Sequence, residues 1–384
     1  MNTPCYIIDK KELEASFLGF KNALNQNFEK YIPSYSVKTN SLPYIIRTAN
    51  AMGYYAEVVS DDEYSLALKC GFSKDHIIFN GPMKSKDVFL DAVKGGALVN
   101  IETFRELEWL SDLNADVSYS VGIRMNINIS AISPEDENHE ADNSRFGFSC
   151  ESGDFDRAIG KIKELPNIEL KRIHIHRTSR TRSVNFYLNL LDYALNQLHT
   201  RQIEVEQIDI GGGYFGRMPN KPTYEDYARN IALTVRKHVD LSKTTVIIEP
   251  GNAIVASCFD FLATVIDVKQ HDDAYYVTIN GSRIDVDPFF RKSSYFYNID
   301  YRNDDKSEVS RQIIGGCTCL ENDRLMDLCD QRLLHVGDQI RFNRVGAYTM
   351  ALTPLFIRYW PEVYVNDGQK ISIVREKFDV NKLL

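Results

Sequence analysis

The sequence predicts an α/β protein: a (β/α)₈ barrel accompanied by a second, mostly β domain. Three observations carry that expectation. Strand-like and helix-like runs alternate eight times between Lys30 and Gly251, and such alternation indicates a parallel sheet. That stretch, roughly 220 residues, suits one closed barrel. After Ala256 the alternation gives way to strand-like runs separated by turns. At 384 residues the chain also exceeds the size at which a single core usually keeps growing. Two domains are therefore expected: a barrel over 24–256, and a β-rich domain from 1–23 with 257–384. A doubly wound open sheet is the competing architecture.

The elements justify themselves in order. Cys5–Asp9 reads as a strand and Lys11–Leu24 as a helix. From Ile32 to Val37 apolar and polar residues alternate at strand spacing, and Lys38 stands where this first barrel strand, Ser34–Lys38, should stop. A helix follows over Leu42–Met52. The next pairs are strand Tyr54–Ser60 with helix Asp61–Cys70, strand His76–Asn80 with helix Ser85–Lys94, and strand Ala97–Glu102 with helix Phe104–Leu113. The acidic start of Asp61–Cys70 suits the positive end of a helix dipole. Strand Ser118–Asn126 leads into a polar, acidic loop over Ser130–Ser144, then a helix near Asp154–Leu165. Strand Leu170–His176, helix Ser183–Leu198, strand Val205–Ile210, helix Tyr224–His238 and strand Thr244–Glu249 complete the eight units. Beyond them, Phe259–Lys269, Ala274–Asn280, Arg311–Ile314, Gln339–Phe342, Glu362–Val365 and Lys370–Arg375 read as strands.

Composition narrows the function classes. Net charge is −8, so no general attraction to nucleic acid or anionic membrane is implied. No apolar run approaches membrane length, and the N-terminal stretch lacks a basic segment followed by an apolar core, so cytoplasm is the expected location. The seven cysteines (Cys5, Cys70, Cys150, Cys258, Cys317, Cys319, Cys329) are odd in number and mostly scattered, which argues against a disulfide framework. Only Cys317 and Cys319 are close, and their spacing is not that of a zinc site. No metal is expected.

Barrel chemistry collects where the strands end at their carboxyl side. The residues there are Lys38, Glu57, Asn80, Asn100 or Glu102, Arg124, His176, Gly211-Gly212-Gly213 and Glu249. His174 and His176 share one face at period-two spacing. A glycine triplet after a strand lets backbone amides approach an anion, although such a triplet alone is as readily a tight turn. Glu249 could hold a ring nitrogen protonated or simply form an ion pair at the rim. Ser179 could donate to a phosphate or cap a helix. In the β-rich region, Gly315-Gly316-Cys317-Thr318-Cys319 offers a thiol in a glycine-rich turn, and Tyr348 follows in Gly346-Ala347-Tyr348-Thr349.

Together these motifs resemble the pyridoxal-phosphate-dependent amino-acid decarboxylases of the alanine-racemase-like fold, the group acting on ornithine, diaminopimelate and carboxynorspermidine. The carriers are Tyr35-Ser36-Val37-Lys38, Ser144-Arg145-Phe146-Gly147, His176 with Ser179, Gly211–Gly213, Glu249-Pro250-Gly251, Gly316-Cys317-Thr318-Cys319 with Asp323, and Gly346-Ala347-Tyr348-Thr349. Their order covers nearly the whole chain, from about Thr3 to Tyr364. The resemblance implies that Lys38 forms a Schiff base with pyridoxal 5'-phosphate, and that Ser179, Gly211, Gly212, Gly213 and Tyr348 bind its phosphate. It implies that Glu249 pairs with the pyridine nitrogen, that His176 stacks on the ring, and that Glu57, Arg124, Gly251 and Asn252 lie near the cofactor. Cys319 and Asp323 would complete the site of the other subunit of a homodimer, with Cys319 protonating the carbanion left by carbon dioxide.

The chain departs from the family pattern at several places. Asn252 stands for an arginine that contacts the phosphate, Arg177-Thr178 for Val-Gly, and Cys317 for a proline. Asp287 stands where diaminopimelate decarboxylases grip the distal carboxylate with arginine. Leu320 replaces a glutamate, with Glu321 one step on. These last changes point away from diaminopimelate and toward a basic or polar distal group, or a larger amino-acid conjugate, facing Asp287 or Glu321. An amino-acid racemase on the same fold, or a degenerate regulatory relative, are the alternative readings.

Overall fold

The computed structural model describes residues 1–136 and 144–384. It divides into two compact units: Ser16–Ala253, and Met1–Ala15 with Ile254–Leu384. The boundary falls inside the helix Lys10–Asn27.

In the first unit, eight parallel strands close into a barrel. They are Tyr31–Ser36, Tyr55–Ser60, Ile77–Met83, Leu98–Ile101, Tyr119–Asn126, Ile168–His174, Gln207–Asp209 and Thr245–Ile248. Each pairs with the next, and the last returns to the first through Val246 opposite Tyr31 and Ile248 opposite Pro33. Closure leaves no edge exposed. The competing open sheet is therefore excluded. A two-residue strand, Phe148–Ser149, adds to the fifth barrel strand from outside the ring.

Local chemistry explains why the helices start where they do. Ser60, Ser85 and Ser183 accept hydrogen bonds from backbone amides of the first turns that follow them. Thr103 and Thr223 form reciprocal capping boxes with Glu106 and Asp226. The faces turned to the barrel carry buried apolar side chains, such as Phe186, Leu190, Ala194 and Leu198 of Val184–Thr200. Strand interiors such as Val121, Ile123, Ile173, Ile208 and Ile247 are fully buried, as expected for strands covered on both faces.

Two boundaries matter for function. Lys38 does not end a strand. The strand stops at Ser36, and Lys38 sits in the single helical turn Val37–Thr39 that follows. His176 likewise lies two residues past the strand Ile168–His174. The acidic loop expected over Ser130–Ser144 contains a short helix, Ile129–Ile132, and a tight turn, Pro134–Asp136; its remainder up to residue 143 lies outside the described residues.

The second unit is built on a nine-stranded sheet. Cys5–Asp9 lies at its centre, antiparallel to Phe259–His271 and parallel to Glu362–Asn366. Strands Phe296–Asp300 and Arg324–Arg332 belong to it and were not expected from the sequence. Among the described residues no helix is long and apolar enough to cross a membrane.

Candidate active site

The barrel gathers most of the expected residues at one mouth, within the first unit. The Lys38 Nζ is held by both oxygens of Glu57, at 2.9 and 2.8 Å. Lys38 is 38% exposed and Glu57 only 1%. Glu57 also accepts from Ser36 Oγ at 2.5 Å and from Asn80 Nδ2 at 3.2 Å. Burial pushes the Glu57 carboxyl up, but the lysine charge and these donors outweigh it, and its pKa falls below the ordinary value.

Glu249 has the opposite state. Its Oε1 accepts from Asn80 Nδ2 at 2.7 Å, and its Oε2 lies 3.8 Å from His174 Nε2. Burial, with the negative charges of Asp209 and Glu57 beside it, drives its pKa well above the ordinary value. Glu249 therefore keeps a proton that it can share with a basic nitrogen. Asp209 is shifted upward for the same reason, to about 6, against the counter-pull of Arg172. The two carboxyls and the His174 ring belong to one sealed cluster, with one ligand atom each of His174, Asp209 and Glu249 within 4.8 Å of one another. Neither His174 nitrogen has a hydrogen-bond partner among the described residues.

A buried amide chain ties this cluster together. Asn80 Oδ1 accepts from Asn100 Nδ2 at 2.7 Å, and Asn100 also donates to Asp209 at 3.0 Å. Arg172 Nε donates to Asn100 Oδ1 at 2.8 Å. Asp209 and Arg172 carry no signal in the sequence, where they sit inside apolar strand patterns; only the closed ring places them together.

His176 is fixed from two sides. The Gly212 amide donates to its Nδ1 at 3.2 Å, so the neutral ring carries its proton on Nε2. Arg124 Nη2 donates to the His176 carbonyl at 3.0 Å, while Nη1 grips both Glu102 oxygens at 3.0 Å. Burial and the positive charges of Arg124, Lys38 and Arg177 hold His176 well below its ordinary pKa, leaving the ring neutral. The glycine triplet must be glycine. A Cβ on Gly211, whose φ is +76°, would stand 2.4 Å from the His176 Cβ, and one on Gly212 would stand 2.3 Å from the Glu249 carbonyl oxygen. Gly251 is equally confined, 2.1 Å from Thr39 Oγ1. Asn252 opens the short helix that follows.

Ser179 Oγ donates to Asp136 Oδ1 at 2.5 Å and accepts from the Arg182 amide at 2.6 Å. Its hydroxyl proton is thus held by a neighbouring loop.

The remaining expected residues lie in the second unit. Cys319, Leu320 and Glu321 are exposed and line a cavity of about 250 Å³ with Tyr276 and Thr318. Asp323 is buried at the base of their loop, accepting from Ser282 Oγ, Thr318 Oγ1 and the amides of Arg283 and Thr318. Asp287 is also buried, gripped by Arg283 and by the amides of Arg291 and Lys292. Both carboxylates hold their own backbone in place. A substrate contact at Asp287 or Asp323 would therefore have to share carboxylate oxygens that already accept hydrogen bonds inside the fold. Tyr348 adopts a left-handed conformation, φ +65°, ahead of the short helix Thr349–Leu352.

Comparison with known proteins settles the family. Residues 11–256 match the model of the pyridoxal-dependent decarboxylase pyridoxal-binding domain, well over half of the chain. The chain belongs to the pyridoxal-dependent decarboxylases. It is 26% identical to a diaminopimelate decarboxylase of Bacteroides thetaiotaomicron, over 96% of each chain. It is 23% identical to the Methanocaldococcus jannaschii diaminopimelate decarboxylase, over 98% of this chain and 89% of that one. Solved structures share the fold. The M. jannaschii enzyme in complex with L-lysine gives a TM-score of 0.85 at 22% identity, covering 98% of this chain and 90% of that one. An arginine decarboxylase of Paramecium bursaria Chlorella virus gives 0.77 at 21% identity, covering 95% and 96%.

The cofactor of this pyridoxal-dependent carboxy-lyase is pyridoxal 5'-phosphate, and the residues fit it. An amine, a proton-bearing carboxyl, a flat neutral imidazole and a cradle closed to any Cβ converge on one mouth. The unpartnered nitrogens of His174 add polar capacity that the protein alone does not satisfy.

Proposed function

We propose that this chain removes the α-carboxylate of an amino acid, with Lys38 as the attachment point of the cofactor aldehyde. The observation that carries this is the Lys38–Glu57 pair at the barrel mouth, 2.8 Å long, with Asn80 bridging it to the protonated Glu249. An amine must shed a proton before it adds to an aldehyde, and Glu57 Oε2 is in place to take it. Glu249 offers its proton to the pyridine nitrogen. His176, neutral and clamped by Gly212 and Arg124, presents a flat face to the ring. Gly211–Gly213, Ser179 and Tyr348 would hold the phosphate, with Gly251 and Asn252 nearby. When bound, the cofactor supplies the sink for the electron pair left on Cα as carbon dioxide departs.

Proton return to Cα is assigned to Cys319, from the second unit of a partner subunit, with Glu321 beside it. Cys319 is exposed, as a residue serving another subunit must be. Mixing the inactive Lys38→Ala and Cys319→Ala proteins tests this: shared sites restore about one quarter of wild-type activity through mixed dimers, and separate sites restore none.

The relatives support a diaminopimelate-like substrate. Those cited above from Bacteroides and Methanocaldococcus are diaminopimelate decarboxylases. Asp287 no longer argues against a dicarboxylate, because its charge is matched by Arg283 at 2.9 Å and covered. Carbon dioxide release from a panel of meso-diaminopimelate, lysine, ornithine and arginine, by the wild type and by Lys38→Ala, tests the reading. Release from at least one substrate that vanishes in the variant supports it; α-proton exchange without release favours a racemase.

A further inference from the structure

The charges at the barrel mouth do not balance at Arg177. Three other cations of the mouth have partners. Lys38 is held by Glu57, Arg124 by Glu102, and Arg172 by the Asn100–Asp209 network. Arg177 lies three residues beyond the sixth barrel strand, directly after His176, in the loop leading to Ser179. Its side chain is half-buried, and its Nε is sealed from solvent with no hydrogen-bond partner among the described residues. The charged group acting on it most directly is the Arg124 guanidinium, a like charge, and burial adds to the cost of keeping it ionised. A guanidinium does not escape such a position by losing its proton at neutral pH. A half-buried guanidinium whose sealed Nε finds no acceptor is costly until an acceptor, best of all an anion, arrives.

Two anions come to this mouth: the cofactor phosphate and a substrate carboxylate. The phosphate has other cations. Arg182 and Lys221 stand 5.4 and 5.1 Å from the Phe215 ring, just past the glycine triplet. Arg177 bears instead on His176, as does Arg124 near the end of the fifth strand. The leaving α-carboxylate is also a poor candidate. A guanidinium paired to it would stabilise the ground state and be lost in the transition state, which slows the step.

We infer that Arg177 is a specificity-determining residue that receives the distal carboxylate of a dicarboxylic amino-acid substrate, in place of the arginine absent at Asp287. This rests on the decarboxylase reading above and names the substrate class within it.

The test uses the holoprotein, its Arg177→Gln and Arg177→Lys variants, and two unreactive probes: pimelate, which carries two carboxylates, and cadaverine, which carries none. Calorimetry should show pimelate binding weakened roughly 10- to 100-fold in Arg177→Gln, with partial recovery in Arg177→Lys and cadaverine binding unchanged. The KM for meso-diaminopimelate should rise by a similar factor while kcat holds within about 3-fold. Affinity of the apoprotein for pyridoxal 5'-phosphate should not move. Equal loss for both probes, or weakened cofactor binding, overturns the assignment. Because probe binding needs no turnover, failure of Arg177 is separable from failure of the decarboxylase reading, which is judged by carbon dioxide release alone.

Discussion

Asn80 is the keystone of the barrel mouth, and its removal has a calculable cost. It makes three buried hydrogen bonds: to Glu57 at 3.2 Å, to Glu249 at 2.7 Å and from Asn100 at 2.7 Å. A typical net hydrogen bond contributes about 1 kcal/mol, and leaving its partner unsatisfied costs more. Asn80→Ala should therefore destabilise the barrel by about 3 kcal/mol, with a water molecule recovering part of that. Asn80→Asp keeps the shape but replaces the shared donor by an acceptor facing two carboxyls. It should be worse than alanine at pH 8 and recover toward pH 5, where the third carboxyl accepts a proton. The assay is urea unfolding of the apoprotein in a Trp360→Phe background. The chain has two tryptophans, so Trp109, on a barrel helix, then reports the barrel alone. With an m-value of about 3 kcal/mol/M, the alanine variant's midpoint falls by about 1 M. A loss below about 1 kcal/mol, or an aspartate variant as stable as the alanine one at pH 8, refutes the bridging role.

The raised pKa of Glu249 has a signed consequence. The folded state holds a proton there that the unfolded state releases above pH 4.5, so this group subtracts stability as pH rises from that value. Glu249→Gln in the apoprotein should gain on the wild type between pH 5 and pH 8, read from unfolding midpoints, and show little difference near pH 4; a constant offset would contradict the assigned state. Gly212→Ala should lose roughly 3 kcal/mol of apoprotein stability because its Cβ meets backbone that cannot move, whereas Gly160→Ala, within the helix Asp154–Lys163 and with open space around it, should gain about 0.5–1 kcal/mol in the same melts. Lys84 and Glu106 form a fully buried ion pair, 3.0 Å long; Lys84→Met should cost about 3–5 kcal/mol in urea unfolding, and Lys84→Met with Glu106→Leu should recover most of it.

What the sequence revealed follows from what is periodic and local. Eight alternations of strand and helix were legible because each covered strand is a dense apolar run and most helices carry a cap such as Ser60 or Thr103. The strands Phe296–Asp300 and Arg324–Arg332 were not, because their burial alternates weakly and charged residues interrupt them. Lys38 was placed one element early: nothing in Ser36-Val37-Lys38 distinguishes a strand end from the helical turn that carries the amine. Lys38, Glu57, His176 and Glu249 stood out as polar residues at strand ends. Asp209 and Arg172 did not, because what they do depends on Asn100, 109 and 72 residues away, a distance no local pattern spans. Nor does a sequence show that carboxylates such as Asp287 and Asp323 already accept bonds from backbone amides of their own loops.

The most direct test of the account is covalent. Borohydride reduction of the holoprotein, followed by peptide mass spectrometry, should place one phosphopyridoxyl group on the peptide containing Lys38 and leave Lys84 and every other lysine unmodified. Modification of a different lysine, or recovery of all cofactor unattached, would contradict it.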